Sequence, residues 1–340
     1  MSHLQDAKLL VRKFYAELDA ATSEASADVL KKHVAEEYRW RGSFPFNELY
    51  GAESVASSFW APLKDAFGRT QRREDIFFAS HNRLDGGETT WVCSMGHILG
   101  HFQKPWIDIQ PHHKMVFLRY CDFHRVEHGK IQESALHIDV MSILLQLGSR
   151  VIPEATGVVT MTPGPQPHDG LLFDEHPASE GEKTLDVIER MIGRLIGSGV
   201  KTTMADLAAD WTEDMLWWGP TGIGASYTYQ GYLKGHTTPF EDGLEFIRHN
   251  GHIVRLGEGS YGGFFGYPSM TMRSKGGYMG LTSSGDTTAD MRIVDLYRRD
   301  GDKLAENWIF IDHLWFLKQL GVDLIERHRA MTAPVQEFLR

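Results

Sequence analysis

Cysteine is nearly absent from this chain. Two of them, Cys93 and Cys121, in 340 residues cannot build a disulfide framework or a four-cysteine zinc site, and unpaired burial in a reducing compartment is the expectation for both. No stretch approaches the roughly 18 uninterrupted apolar residues of a membrane-spanning helix. The first residues, MSHLQDAKLLVRKF, run into a charged amphipathic pattern with no signal-peptide core, so a cytoplasmic location is expected. Runs of lysine and arginine are missing too, and the formal net charge is −10. Phosphate contacts need a positive footprint, which excludes nucleic acid and anionic membrane and leaves a small-molecule substrate and further copies of the chain as expected partners. The glycines of GPTGIG and EGSYGGFFG lack the strand–GxGxxG–helix context of a nucleotide loop. His97 and His101, with His112 and His113 nearby, match no strong metal signature. Neither cofactor nor metal is therefore expected.

Histidine is abundant, with 17 residues, ten of them before position 150. The length favours two domains of about 150 residues, and an internal repeat supports this. The segment 122–148, DFHRVEHGKIQESALHIDVMSILLQLG, aligns without a gap on 295–321, DLYRRDGDKLAENWIFIDHLWFLKQLG. Asp122 falls on Asp295, Glu133 on Glu306, Asp139 on Asp312, and upstream Arg119 falls on Arg292. A second block repeats from Trp40 through Gly42 to Pro62 and from Trp217 through Gly219 to Pro239, with 20 residues from glycine to proline in each. The expected organisation is a domain over 1–150, a Pro/Gly-rich linker over 151–182 and a second domain over 183–340.

Each half begins with amphipathic helical patterns and ends in strand-like runs, the α+β order. The turns His128-Gly129 and Gly301-Asp302 close a hairpin in each half. Counting alternation from a Glu127–Lys130 pair puts Tyr120, Asp122, His124, Glu133, His137 and Asp139 on one face, with Cys121, Phe123, Leu136, Ile138, Arg119 and Arg125 on the other. The same count in the second half puts Ile293, Asp295, Tyr297, Glu306, Trp308, Phe310 and Asp312 together. The apolar face is expected to meet a second sheet, and the polar face, capped by helices, to line a cavity.

These motifs resemble the SnoaL-like polyketide cyclase domains of the nuclear transport factor two-like superfamily. The likeness rests on the arginine, D-[FL]-[HY]-R, turn-Gly-Lys, glutamate and terminal strand aspartate running into the QLG triplet, together with FWAPLKDAF and WWGPTGIG. The resemblance implies two tandem cone-shaped α+β domains, each a curved, mainly antiparallel sheet wrapped around N-terminal helices, packed as a pseudo-dimer. It also implies acid/base chemistry without metal or organic cofactor, by a strand aspartate and a histidine on the preceding strand. Asp139 and His124 match those positions; Asp312 matches in the second half, where Tyr297 departs from the histidine.

The expected activity is that of an aldol or retro-aldol lyase, cyclase or isomerase on a small aromatic or polyketide-like molecule. The alternatives are a hydratase, dehydratase or epoxide hydrolase, or a non-catalytic binder. Catalysis is expected from Asp139, His124 and His137, with Asp312. Substrate contacts are expected from Trp40, Trp60, His97, Tyr120, Asp122, Trp217, Trp218, Tyr297 and Trp308. Since His124 and His137 become Tyr297 and Phe310, the chemistry is expected to lean toward the first half.

Overall fold

The computed structural model describes residues 3–283 and 285–338, so the outermost residues of the two expected domains, 1–2 and 339–340, and Ser284 lie outside the described residues. The first helix, His3–Ala20, presents Ala7, Val11, Phe14 and Leu18 on one buried stripe, the 3–4 spacing of an amphipathic helix. It is followed by Ser26–His33 and by a helical run over 52–67 that carries a π turn at Ala56–Trp60. These helices sit against a six-stranded sheet of β1 (Val34–Gly42), β2 (Glu48–Tyr50), β3 (Gln71–His81), β4 (Thr90–His101), β5 (Met115–Glu127) and β6 (Lys130–Ile138). Its spatial order is β2-β1-β6-β5-β4-β3, antiparallel except where β1 meets β6.

The second sheet repeats this plan. Its strands are β7 (Trp211–Trp218), β8 (Ser226–Tyr227), β9 (Leu244–His249), β10 (Val254–Glu258) and β11 (Tyr261–Ser274), a small separate pair β12 (Gly277–Tyr278) and β13 (Leu281–Thr282), then β14 (Thr288–Asp300) and β15 (Lys303–Ile311). The order β10-β11-β14-β15-β7-β8, with a parallel β7–β15 pair, follows that of the first sheet, except that β9 and β10 both pair β11 where β3 alone pairs β4. Its leading helix, Ala178–Gly197, starts inside the stretch expected to be linker. That helix lies close on β10 because Gly181 and Gly257 meet there: a Cβ on Gly181 would come within 2.3 Å of the Gly257 carbonyl oxygen.

The two sheets pack face to face. Phe78, Trp91, Met95 and Phe123 of the first interleave with Leu256, Phe265, Val294 and Trp308 of the second in one buried cluster, so the fold is α+β with a pseudo-dimeric core. Cys93 and Cys121 are unpaired and buried in this seam. The connecting segment is not a free tether. Leu171 bridges Phe77 of β3, Val158 bridges Ala225, and Trp308 Nε1 donates to the Pro163 carbonyl at 3.0 Å.

One expectation is corrected by the strand register. Glu127 pairs Lys130 and Val126 pairs Ile131 as counted, but Arg125 then pairs Glu133 and His124 pairs Ser134, because Gln132 bulges out of the ladder. One extra residue moves every later side chain to the opposite face. Glu133 and His137 therefore leave the face of Asp122 and His124, and Leu136 and Ile138 join it. Ala305 marks the same bulge in the second sheet, where Arg298 pairs Glu306 and Tyr297 pairs Asn307. Glu306, Trp308 and Phe310 turn into the inter-sheet core, and Asn307, Ile309 and Ile311 take their places beside Asp295.

Candidate functional site

In the first half, the concave face holds a packed polar network. The Tyr15 hydroxyl lies 3.1 Å from Asp122 Oδ2 and 2.9 Å from His124 Nε2, His124 Nε2 lies 3.0 Å from the same carboxylate oxygen, and His124 Nδ1 meets Ser134 Oγ at 2.6 Å. Tyr120 meets Ser94 Oγ at 2.9 Å, and the Arg72 guanidinium, held by Asp19, lies over the Tyr15 and Tyr120 rings. Tyr15, Tyr120, Asp122 and His124 are all at most 3% exposed. Trp40 and Trp60 are buried as well, Trp40 against Phe46 and Phe59. This closely packed network orders a core, with Asp122 Oδ1 and one Arg72 nitrogen left without a hydrogen-bond partner among the described residues.

Asp139 does not join His124. It ends β6 as the N-cap of the helix Val140–Gln146, where Oδ1 accepts the Ser142 N–H at 3.1 Å and Oδ2 accepts the Thr221 N–H of the other half at 3.2 Å. Asp312 repeats both tasks, capping His313–Gln319 through the Trp315 N–H and accepting the Phe44 N–H at 2.8 Å. The repeated aspartates thus tie each half to a loop of the other. His137 lies in the seam between the Phe265 and Tyr267 rings, with Nε2 unpartnered among the described residues. Burial and the neighbouring Arg292 and Arg41 push its pKa down to about 3, which keeps it a neutral imidazole. Trp308 is wholly buried in the same seam. His97, Asp139 and Trp218 line a separate groove where the halves meet, and His97 faces Asp75 at 3.6 Å.

The second half opens where the first is filled. A cavity of about 120 Å³ lies between its helices and its concave sheet face, with Trp217, Asp295, Tyr297, Asn307 and Ile309 on the sheet side and Tyr232 and His236 on the helical side. The repeat register explains the space: Trp60 falls on Thr237, Tyr120 on Ile293 and Phe59 on His236, so large rings give way to smaller or polar groups.

Burial pushes the Asp295 carboxyl up to about 7, against hydrogen bonds from Asn307 and Tyr297 that pull it down. Asn307 Nδ2 donates to Asp295 Oδ1 at 3.0 Å and to the Leu296 carbonyl at 2.9 Å. The His236 ring stacks on Trp217 with centroids 4.1 Å apart, and its buried Nδ1 has no partner among the described residues. Burial lowers His236 to about 3 and raises Tyr232, so both stay neutral. A carboxyl poised near neutrality beside neutral hydrogen-bonding groups in an apolar chamber has the composition of a proton-transfer site. Among the described residues no group of three or more His, Cys, Asp and Glu side chains is arranged to hold a metal ion.

Of the expected site residues, the structure brings Trp217 and Tyr297 to this cavity. Asp295, Asn307, Tyr232 and His236 were not among them. Asp295 had a visible signal, its alignment with Asp122, whereas Asn307 was hidden by the bulge.

Residues 10–147 match the family model of the SnoaL-like polyketide cyclases. No curated protein matches the chain. Among solved structures, one described provisionally as a SnoaL-like polyketide cyclase from Jannaschia sp. CCS1 is 17% identical and covers 42% of this chain and 93% of its own, with a TM-score of 0.35. AclR of Streptomyces galilaeus, described provisionally as a hydroxylase, is 17% identical over 42% of this chain and 87% of its own, TM-score 0.34. An NTF2-like protein of unknown function from Burkholderia pseudomallei K96243 is 14% identical over 43% and 97%, TM-score 0.32. Over residues 10–147, which hold the curved α+β sheet of the first half, the chain is thus similar to the SnoaL-like polyketide cyclases.

Proposed function

We propose that the two halves are tandem copies of one domain and that the second copy houses the active site of an acid/base enzyme, working without a cofactor on a small ring-bearing carbonyl or hydroxyl compound. The observation that carries this reading is the Asp295 carboxyl at about 7 in an apolar, aromatic-walled cavity. Such a group is half ionised at neutral pH and serves as base in one step and acid in the next. Ionised, Asp295 takes the proton next to a carbonyl, or from a hydroxyl so that the adjacent carbon-carbon bond breaks in the retro-aldol sense. Asn307 and Tyr297 hold the carboxylate, and the Tyr232 and His236 groups donate to the oxygen on which negative charge develops.

Size narrows the substrate. An engineered protein cavity of about 150 Å³ accommodates benzene, so a cavity of about 120 Å³ has room for no more than one ring, against the Trp217–His236 stack, and leaves a fused polyketide outside. The test is a screen of single-ring aryl ketones and β-hydroxy ketones, with product followed by mass spectrometry. Asp295→Asn is expected to lose about 10²- to 10⁴-fold in turnover, while Asp122→Asn retains most of it. Undiminished turnover by Asp295→Asn disproves the assignment.

A further inference from the structure

Arg119 with Asp139 and Arg292 with Asp312 hold equivalent positions in the repeat but differ in what surrounds them. Around Arg292, the Trp315 ring stacks on the guanidinium at 3.8 Å, Tyr267 covers the other side at 4.0 Å, and Asp312 pairs with it at 3.3 Å. Phe44, whose N–H Asp312 holds, lies under Lys318. At the corresponding places around Arg119, the register puts Ser142 for Trp315 and Thr221 for Phe44. Two large rings are thereby missing, and a groove of about 370 Å³ opens on this side of the seam. The extended segment Val158–Thr162 forms its outer wall, with Val158, Val159 and Met161 all more than half exposed.

The polar groups at the base of the groove are under-partnered. Arg119 is 4% exposed and lies over the Phe310 ring. It reaches only two carbonyl oxygens, Trp218 at 3.3 Å and Gly219 at 3.4 Å, and makes no ion pair among the described residues. Its Nε and the Trp218 Nε1 are buried donors with no partner among the described residues. Asp139 is the one carboxylate on the wall, and each of its oxygens already accepts a backbone N–H, from Ser142 and from Thr221. Asp139 offsets the Arg119 charge only from a distance, so a buried guanidinium with no carboxylate in contact and one N–H left open is costly, and an anion seated beside it relieves that cost.

We propose that this groove is a second small-molecule site, separate from the Asp295 cavity, which takes a flat apolar carboxylate: its ring system lies between Trp218 and the Val158–Met161 wall, and its carboxylate meets Arg119. The volume is three times that of the Asp295 cavity and suits two fused rings.

The test uses 2-naphthoate and its uncharged amide as probes, titrated calorimetrically into the full chain. Ser142→Trp and Thr221→Phe each restore a ring that the other copy carries, so each fills the groove with a group the fold already accommodates; either one alone decides the question if the other fails to fold by circular dichroism. Naphthoate is expected to bind the native chain, to bind at least tenfold more weakly after either substitution, and to outbind the amide at least tenfold. Thr237→Trp, which refills the Asp295 cavity as Trp60 fills the first half, is expected to leave the naphthoate isotherm unchanged. Absence of binding to the native chain, equal binding after Ser142→Trp or Thr221→Phe, equal binding of the amide, or loss on Thr237→Trp would each overturn the proposal. Failure of the Asp295 reading shows separately, as undiminished turnover in Asp295→Asn.

Discussion

Asp295 acts on stability as a single titrating group. Its ordinary pKa of 3.8 is raised to about 7 by burial, so between those values the folded chain binds a proton that the unfolded chain has released. Stability therefore falls as pH rises through that window and levels off above it, the reverse of a salt-bridged carboxylate. The cost above pH 7 is at most about 4 kcal/mol, at about 1.4 kcal/mol for each pH unit between the two values. Asp295→Asn removes this liability while inactivating the proposed chemistry. Urea unfolding is expected to show the variant more stable than the native chain at pH 8 by a few kcal/mol and nearly equal to it at pH 4. A difference that does not change with pH would contradict the raised carboxyl. The native pH–rate profile is expected to carry a limb near 7, rising with pH if ionised Asp295 starts the reaction.

Among the elements, the last hairpin of each half decides what the sequence could reveal. Its turn was legible: Glu127 pairs Lys130, and His128 and Gly129 both adopt positive φ, 52° and 69°, as a tight two-residue hairpin requires. The two-sheet α+β plan and the packing of Cys121 and Phe123 against a second sheet were equally readable from repeat and alternation. The bulges at Gln132 and Ala305 were not, because KIQESALHI mixes apolar and polar residues on both faces and either register gives a plausible strand. That single residue took Glu133 and His137 away from His124. Asp139 and Asp312 stood out because they repeat, yet they repeat for capping and for holding the opposite loop. Replacing an N-cap aspartate by alanine costs about 1 kcal/mol, and here the loop N–H of the other half is orphaned as well. Asp139→Ala and Asp312→Ala are each expected to lower unfolding stability by about 1–3 kcal/mol and to leave turnover per folded molecule within a factor of a few. A turnover loss as large as that of Asp295→Asn would return these residues to the chemistry.

At the scale of the whole molecule, the halves are joined by charge as well as by the apolar seam. Lys8 of the first helix is fully buried and pairs with Glu258 of β10 at 2.6 Å. Glu258 Oε1 also accepts the His176 N–H at 3.1 Å, and Oε2 accepts the Ala79 N–H of β3 at 2.8 Å. One carboxylate thus fastens the leading helix, both sheets and the connecting segment at a single point. Removing one member of a buried pair strands the other charge and costs about 3–5 kcal/mol, whereas removing both strands none. Glu258→Gln preserves an oxygen for one backbone N–H and leaves the Lys8 ammonium without its counter-charge, so its loss is expected at about that size. Lys8→Met introduced into the Glu258→Gln background is expected to restore part of that stability, although in the native chain the same change is destabilising. Because the pair spans the seam, both halves are expected to unfold in one transition, followed by tryptophan fluorescence and circular dichroism together. Additive losses in the double variant, or two separated transitions in the native chain, would show that the pair does not couple the halves.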